Sequence, residues 1–184
     1  LRVLHEKNPN IKAVQGNALS LKKLPSKSFD VTLLLGPMYH LFKNEDKIKA
    51  LLEAKRITKK GGYIFVAYLL ADYAIIRHAI MDGNLEQSLI DNKIDKNYNI
   101  ISTEKDLYSY VRLPDIDFYN NQAYLTRETI FSPDGPTDYI RPYINKLSLK
   151  DFEYYKTYCY INATRADLLG ASSHIVDVIK VEND

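Results

Sequence analysis

The chain has 184 residues, 46% of them hydrophobic, which is enough for one domain with an ordinary core and short for two. A net charge of +2 with no basic cluster interleaved with aromatics gives no argument for a nucleic-acid partner, and the single cysteine, Cys159, excludes internal disulfides and multi-thiolate metal sites. No run approaches the ~20 apolar residues that span a bilayer and no signal-peptide pattern opens the chain, so no membrane partner and a reducing, cytoplasmic setting are expected.

Leu1–Lys7 reads as the end of a helix closed by Pro9, and Ile11–Gln15 as a short strand ending at Gly16-Asn17. A polar connection over Ser20–Ser28 feeds an apolar strand at Val31–Leu35. Asn44 is the expected N-cap of a helix whose first turn holds Glu45 and Asp46 and whose end holds Lys55 and Arg56, charges that suit the two ends of a helix dipole. Ile48, Leu51 and Leu52 follow helical spacing and are expected to face a sheet. Gly61-Gly62 supplies a left-handed C-cap and the turn into a second buried strand, Tyr63–Leu70. Strand, crossover helix and strand, with both strands apolar on two faces, mark a parallel sheet.

Residues 71–103 are irregular, with short helices at AIIRHAIM and LEQSLI around a break at Gly83-Asn84. So long an excursion between sheet elements covers a site or moves. Pro114 and Asp115 open a helix over DIDFYNN, Ala123–Phe131 alternates as a strand, and Pro133–Pro136 forms a turn. Asp151–Tyr160 reads as helix, and Ile175–Val181 as a closing strand near an edge.

The seven glycines form neither G-x-G-x-x-G nor G-x-x-x-x-G-K-[ST]; H-E-x-x-H and G-x-S-x-G are also absent, and the four histidines are too dispersed for a metal cluster. Two local features remain. Asn17, just past a strand, offers an amide acceptor and donor beside the free N–H of Ala18, a pair able to bond the edge of an adenine ring; the plainer reading is an Asn-containing turn. In Gly36-Pro37-Met38-Tyr39-His40, Gly36 lets a ligand approach the backbone while Tyr39 and His40 bring a hydroxyl and an imidazole to the same rim. The alternative is that Pro37 only ends the strand and the two rings pack under the next helix. Some of the 15 tyrosines could line a pocket, whereas His174 reads as a strand-end or core histidine and Cys159 as a small core residue.

The order of these pieces resembles the class I S-adenosylmethionine-dependent methyltransferases. VQGNALSL is similar to the family's third strand and Gly-Asp-Ala turn, FDVTLLLGPMYHL to the F-D-x-V strand and G-P-[LM]-Y-H-L turn of a bacterial small-molecule branch, EAKRITKKGGYIFVAY to its R-V-L-x-P-G-G turn and fifth strand, and LLGASSHIVDVIK to its closing strand. The resemblance implies an α/β, Rossmann-like, mostly parallel sheet with an antiparallel closing strand. It also implies one methyltransferase domain over 1–184, with 71–122 as a helical lid that shapes the acceptor pocket around Tyr73, Arg77 and His78. S-adenosylmethionine is the implied cofactor, with Asn17 and Ala18 on its adenine and Leu35, Gly36 and Pro37 along its methionine part. A small-molecule methyl acceptor is the implied partner; for a hydroxyl or amine acceptor that a base would help, His40 or Tyr39 is the candidate. The family usually has Asp where this chain has Asn17, which keeps an acceptor but loses a charge. The family's first strand with its glycine-rich loop, and its second strand with its acidic residue, have no counterpart here, so a further stretch is expected before Leu1 in the parent protein. Two other readings stay open: a non-catalytic binding module on a degenerate methyltransferase fold, and a nicotinamide-dependent oxidoreductase.

Overall fold

The computed structural model describes residues 7–8, 10–170 and 172–182, so the helix end expected at Leu1–Lys7 lies, but for its last residue, outside the described residues. In chain order the elements are β1 (Phe29–Leu34), a 3-10 turn (Pro37–His40), α1 (Asn44–Ile57), β2 (Thr58–Leu69), α2 (Ala71–Ala74, continued by a π-turn at Ile75–Ile80) and α3 (Leu85–Ile90). They continue with α4 (Leu113–Gln122), β3 (Thr126–Phe131), α5 (Thr137–Ile144), α6 (Leu149–Asn162), α7 (Ala166–Leu169) and β4 (His174–Lys180).

The sheet order is β1-β2-β4-β3. β1 and β2 are parallel across the α1 crossover, and β4 is antiparallel to both β2 and β3. The α/β architecture and its antiparallel closing strand are therefore as expected, and among the described residues the sheet is partly parallel. β4 lies one strand in from the edge, between β2 and β3, which is why Ile175, Val176, Asp177, Val178 and Ile179 are all buried.

β2 begins at Thr58, five residues before the expected start, so Gly61 and Gly62 lie inside the strand instead of capping the helix. They form a local irregularity opposite Phe29–Val31. Gly61 has φ +75°, and a Cβ on Gly62 would stand 2.6 Å from the Asp30 carbonyl oxygen, so only glycine fits there.

The buried stripe of α1 has helical spacing but is offset by one residue from the expected one. Lys47, Ala50, Leu51, Ala54 and Ile57 are buried, Ile48 is half-buried and Leu52 is exposed. Asn44 is not the N-cap. Lys43 takes that position without a side-chain bond, and Asn44 Oδ1 instead accepts a 2.9 Å hydrogen bond from Tyr119 Oη on α4. At α4 the expected helix start holds: Pro114 lies in the first turn, and the Asp115 carboxylate accepts from the Arg112 backbone N–H at 2.8 Å. The main core joins one sheet face (Leu34, Ile64, Val66, Ile175, Ile179) to Leu51 and Ala54 of α1 and Ile116 of α4.

Ile11–Gln15 is not a strand. It runs without sheet partners, and Ile11 and Val14 are 50% and 59% exposed. An extended segment becomes a strand only when its N–H and C=O groups find a neighbouring ladder, and no strand of the described residues lies beside this one. Among the described residues the outer edge of β1 has no strand partner, and Val31 and Leu33, on the face opposite the buried Leu34, are exposed where burial on both faces was expected. No helix among the described residues is long and apolar enough to cross a membrane.

Candidate active site

At the carboxyl end of β1 the chain passes through Leu35 and Gly36 into the 3-10 turn, and the ring of Tyr39 folds back so that its hydroxyl donates to the Leu35 carbonyl at 3.0 Å. The turn is held from below by Lys47. Its ammonium is buried in the protein and donates to the Met38 carbonyl at 2.6 Å, to the Leu41 carbonyl, and to Ser109 Oγ at 3.0 Å. Three oxygen acceptors thus replace the water that burial removes. Burial still pushes the lysine down to about 8, with the Asp115 carboxylate pulling the other way.

Ser109 belongs to a strap that closes the carboxyl edge of the sheet. Its N–H donates to the Tyr39 carbonyl at 2.7 Å, Val111 N–H donates to Leu69 O at 2.9 Å, and Ala71 N–H donates back to Val111 O at 2.9 Å. The strap extends the edge of β2 with parallel geometry at Leu70 and Val111. Lys47 therefore ties the 3-10 turn to the strap. Replacing Lys47 with Met is expected to cost ~2 kcal/mol at pH 7, because two carbonyls and a hydroxyl lose their donor. The folded lysine gives up its proton before the unfolded one, so the stability of the natural protein, compared with the variant, rises further between pH 8 and 10.5. Urea denaturation at about pH 7, below this window, and at about pH 9, inside it, measures both parts.

Between turn, strap and sheet lies a cavity of about 220 Å³. Tyr39 comes from the turn, Leu69 and Tyr73 from the end of β2 and the start of α2, and Tyr108 and Tyr110 from the strap. The antiparallel β4 brings its first residue to the same edge, so Ser173 and His174 close the opposite wall beside Asp138 of α5, with His78 at the lid. The rings of Tyr39 and Tyr108 meet edge to face at 5.7 Å, and those of Tyr73 and His78 do so at 5.9 Å.

Two carboxylates organise the polar wall. Asp134 Oδ2 lies 2.7 Å from His174 Nδ1 and accepts from Ser173 Oγ at 2.7 Å. This hydrogen bond leads the causes that raise the His174 pKa above 6.5, against the pull of burial. Asp138 accepts from Tyr73 Oη at 3.2 Å and from Arg141. Burial, helped by the Asp138 charge, pushes the Tyr73 phenol up to about 12. Asp134 Oδ1 and Tyr139 Oη are buried with no hydrogen-bond partner among the described residues.

Of the residues singled out in the sequence, Tyr39, Tyr73 and His78 line this cavity. His40 is not among the lining residues: its ring lies against those of Tyr39 and Tyr108, with Nδ1 3.2 Å from the Leu107 carbonyl, and Arg77 pairs with Asp82 at 2.5 Å. Asn17 Oδ1 accepts from its own turn, at Leu19 N–H 2.9 Å away, and Ala18 packs against the main core. Leu35 is exposed beside Gly36, where a Cβ would meet only Tyr39 Oη, at 3.7 Å. Sequence reasoning missed Tyr108, Tyr110, Asp134, Asp138 and the wall role of His174. The strap had a usable signal, the alternation Tyr108-Ser109-Tyr110-Val111 of a strand; the acidic wall had none, since Asp134 lies 40 residues from its histidine.

Residues 1–66 match a family model described as a methyltransferase domain. Among solved structures, the chain is similar to a S-adenosylmethionine-dependent methyltransferase from Thermotoga maritima, described as a possible histamine N-methyltransferase. The identity is 16%, the TM-score 0.56, and the match covers 96% of this chain and 66% of that one. It is also similar to a S-adenosylmethionine-dependent methyltransferase from Methanosarcina mazei (10% identity, TM-score 0.52, 91% and 66% covered) and to a protein from Pyrococcus horikoshii (10%, 0.53, 97% and 64%). These likenesses show the fold, and the chain spans just under two thirds of the length of each of the three. No protein of curated function matches the sequence.

Proposed function

With the methyltransferase-domain match over residues 1–66 and the fold shared with S-adenosylmethionine-dependent methyltransferases as premises, we propose that the protein transfers a methyl group from S-adenosylmethionine to a small molecule held in the cavity at the carboxyl edge of the sheet. The observation that carries this reading is the double duty of Tyr39. Its hydroxyl is bonded to Leu35 and stands over Gly36, the wall implied for the methionine part of the cofactor, while its ring lines the cavity. Donor wall and acceptor cavity thus share one side chain, as a direct transfer between two bound molecules requires.

The residues present fit the cofactor on this side: Gly36 leaves a space that any side chain would enter, and the exposed Leu35 offers an apolar surface. Asn17 and Ala18 would hold the adenine and Leu35, Gly36 and Pro37 the methionine part; when bound, the cofactor supplies an activated methyl on a sulfonium. The protein's own contribution is placement and exclusion of water, which for an in-line displacement can supply most of the acceleration. The strap and the helices of residues 71–122 would perform the exclusion. Calorimetric titration of the intact protein with S-adenosylhomocysteine tests the reading against its rivals. Binding is expected; a preference for nicotinamide dinucleotides, or no binding of either, would overturn it.

A further inference from the structure

Resting on that reading, the geometry points to an amine as the methyl acceptor: the cavity takes a cationic nitrogen among its tyrosine rings, and the His174–Asp134 pair receives the nitrogen's proton. Three observations carry this.

The first is the nature of the walls. Four tyrosines and two histidines face the cavity, and no lysine or arginine lines it. Ring faces attract a cation. The second is the sign of the charge nearby. Asp138 lines the cavity, and Asp134 stands behind His174 with one carboxylate oxygen buried and unpartnered. The arginines close to this wall are already paired: Arg77 with Asp82, and Arg141, 65% exposed, with Asp138. An anionic acceptor would find no lysine or arginine on the cavity wall; an ammonium finds one carboxylate on it, Asp138, and a second behind His174.

The third is the tautomer of His174. Asp134 Oδ2 lies 2.7 Å from Nδ1, which fixes the proton on that nitrogen. Nε2 is left with a lone pair and no hydrogen-bond partner among the described residues, on a ring that borders the cavity. Asp134 then stabilises the imidazolium formed when Nε2 takes a proton, and its hydrogen bond raises the histidine's basicity. The step balances as follows. The bound ammonium gives one proton to Nε2, the freed nitrogen lone pair forms the N–C bond, and the S–C bond of the donor breaks with its electron pair staying on sulfur as a neutral thioether. The imidazolium later returns its proton to solvent. His174, read from the sequence as a strand-end or core residue, is here the base; His40 is not among the residues that line the cavity.

Two probes of one shape test the amine class: choline and its uncharged isostere 3,3-dimethylbutan-1-ol, titrated into the chain with NMR detection of the His174 imidazole. Choline is expected to bind at least about tenfold more tightly and to shift the His174 resonances, the cation's advantage on a ring face being of that order. Tyr108→Leu should abolish the preference and Tyr108→Phe retain it; Tyr108 is only half-buried, so both variants keep the core. Equal binding of the two probes, or tighter binding of the alcohol, would overturn the proposal. For the base, His174→Gln should lower kcat for a methylated amine by about 100-fold while leaving the affinity for choline unchanged. A fall in choline affinity with kcat intact would remove His174 from the proton transfer. If S-adenosylhomocysteine binds the intact protein and choline does not bind, the amine inference fails while the methyltransferase reading stands; if neither binds, both fail.

Discussion

Replacing Arg127 with Met is expected to lower the free energy of unfolding by ~3–5 kcal/mol. Asp177 lies in the middle of β4, on the sheet face that packs against α1 and α4, and none of its surface reaches solvent. Its carboxylate is held by Arg127 Nε at 2.5 Å and by Asn120 Nδ2 at 2.6 Å. Arg127 reaches on to Asp117 at 2.7 Å, so it bridges α4 to β4 from its place on β3. Burial works against the guanidinium's charge, but the hydrogen bond and charge of Asp177 outweigh it and raise the arginine's pKa. Methionine would fill the space and leave Asp177 buried and charged with one amide as its only donor among these groups. Replacing both partners, Arg127→Met with Asp177→Leu, is expected to recover most of the loss, since a buried ion pair contributes little against an apolar pair of similar volume. Urea unfolding of the natural protein, the single variant and the double variant measures both. A loss under ~1 kcal/mol in the single variant would show that water reaches Asp177 and that the pair is not closed.

The same strand shows how far the sequence could be read. The alternation of IVDVIK announced a strand, yet the buried Asp177 interrupts its apolar face, and a charged residue in a strand is most simply placed at an edge. The partners that allow it inside, Arg127 and Asn120, are 50 and 57 residues away, beyond any local pattern. Lys47 misled in the same way: a lysine at the head of a helix stripe reads as solvent-facing, so the expected face shifted to Leu52, which is exposed. The β-α-β unit was legible because its signals are local: an apolar run, a charged helix and glycines fall within the 41 residues Phe29–Leu69, which need each other. Ile11–Gln15 was not, because strand character there depends on a neighbour and not on its own side chains. At the site, the Gly36–His40 turn was visible from its position after a buried strand. The division of labour between Tyr39 and His40 was not, since it is set by the strap, whose Leu107 carbonyl engages His40 and whose Ser109 engages Lys47.

Replacing Gly36 with Val is expected to weaken S-adenosylhomocysteine binding to the intact protein by at least about 100-fold while leaving the fold in place, a difference of roughly 2.7 kcal/mol in binding free energy. Gly36 has φ −148° and ψ −45°, outside both the extended and the helical regions, so the unfolding midpoint of each variant is read beside its affinity. The space around it is open: a Cβ there meets only the Tyr39 hydroxyl, at 3.7 Å, an ordinary contact. A methyl group is therefore accommodated there, and a valine side chain reaches further into the space a ligand along Leu35 and Gly36 would occupy, so affinity and fold are measured separately. That separation makes the test specific, since at most glycines a loss of binding would be confounded with a loss of structure. Gly36→Ala, which adds one methyl to the same space, should give an intermediate loss, and both variants should keep the natural unfolding midpoint. Calorimetric titration measures the affinities and thermal unfolding the folds. Natural affinity in the valine variant would place the donor elsewhere, and would remove with it the reason for the cavity beside Tyr39 to be the acceptor's. A graded loss from alanine to valine, with choline binding in the cavity unaffected, would instead locate the two ligands on opposite sides of the Tyr39 ring, the arrangement from which an in-line transfer follows.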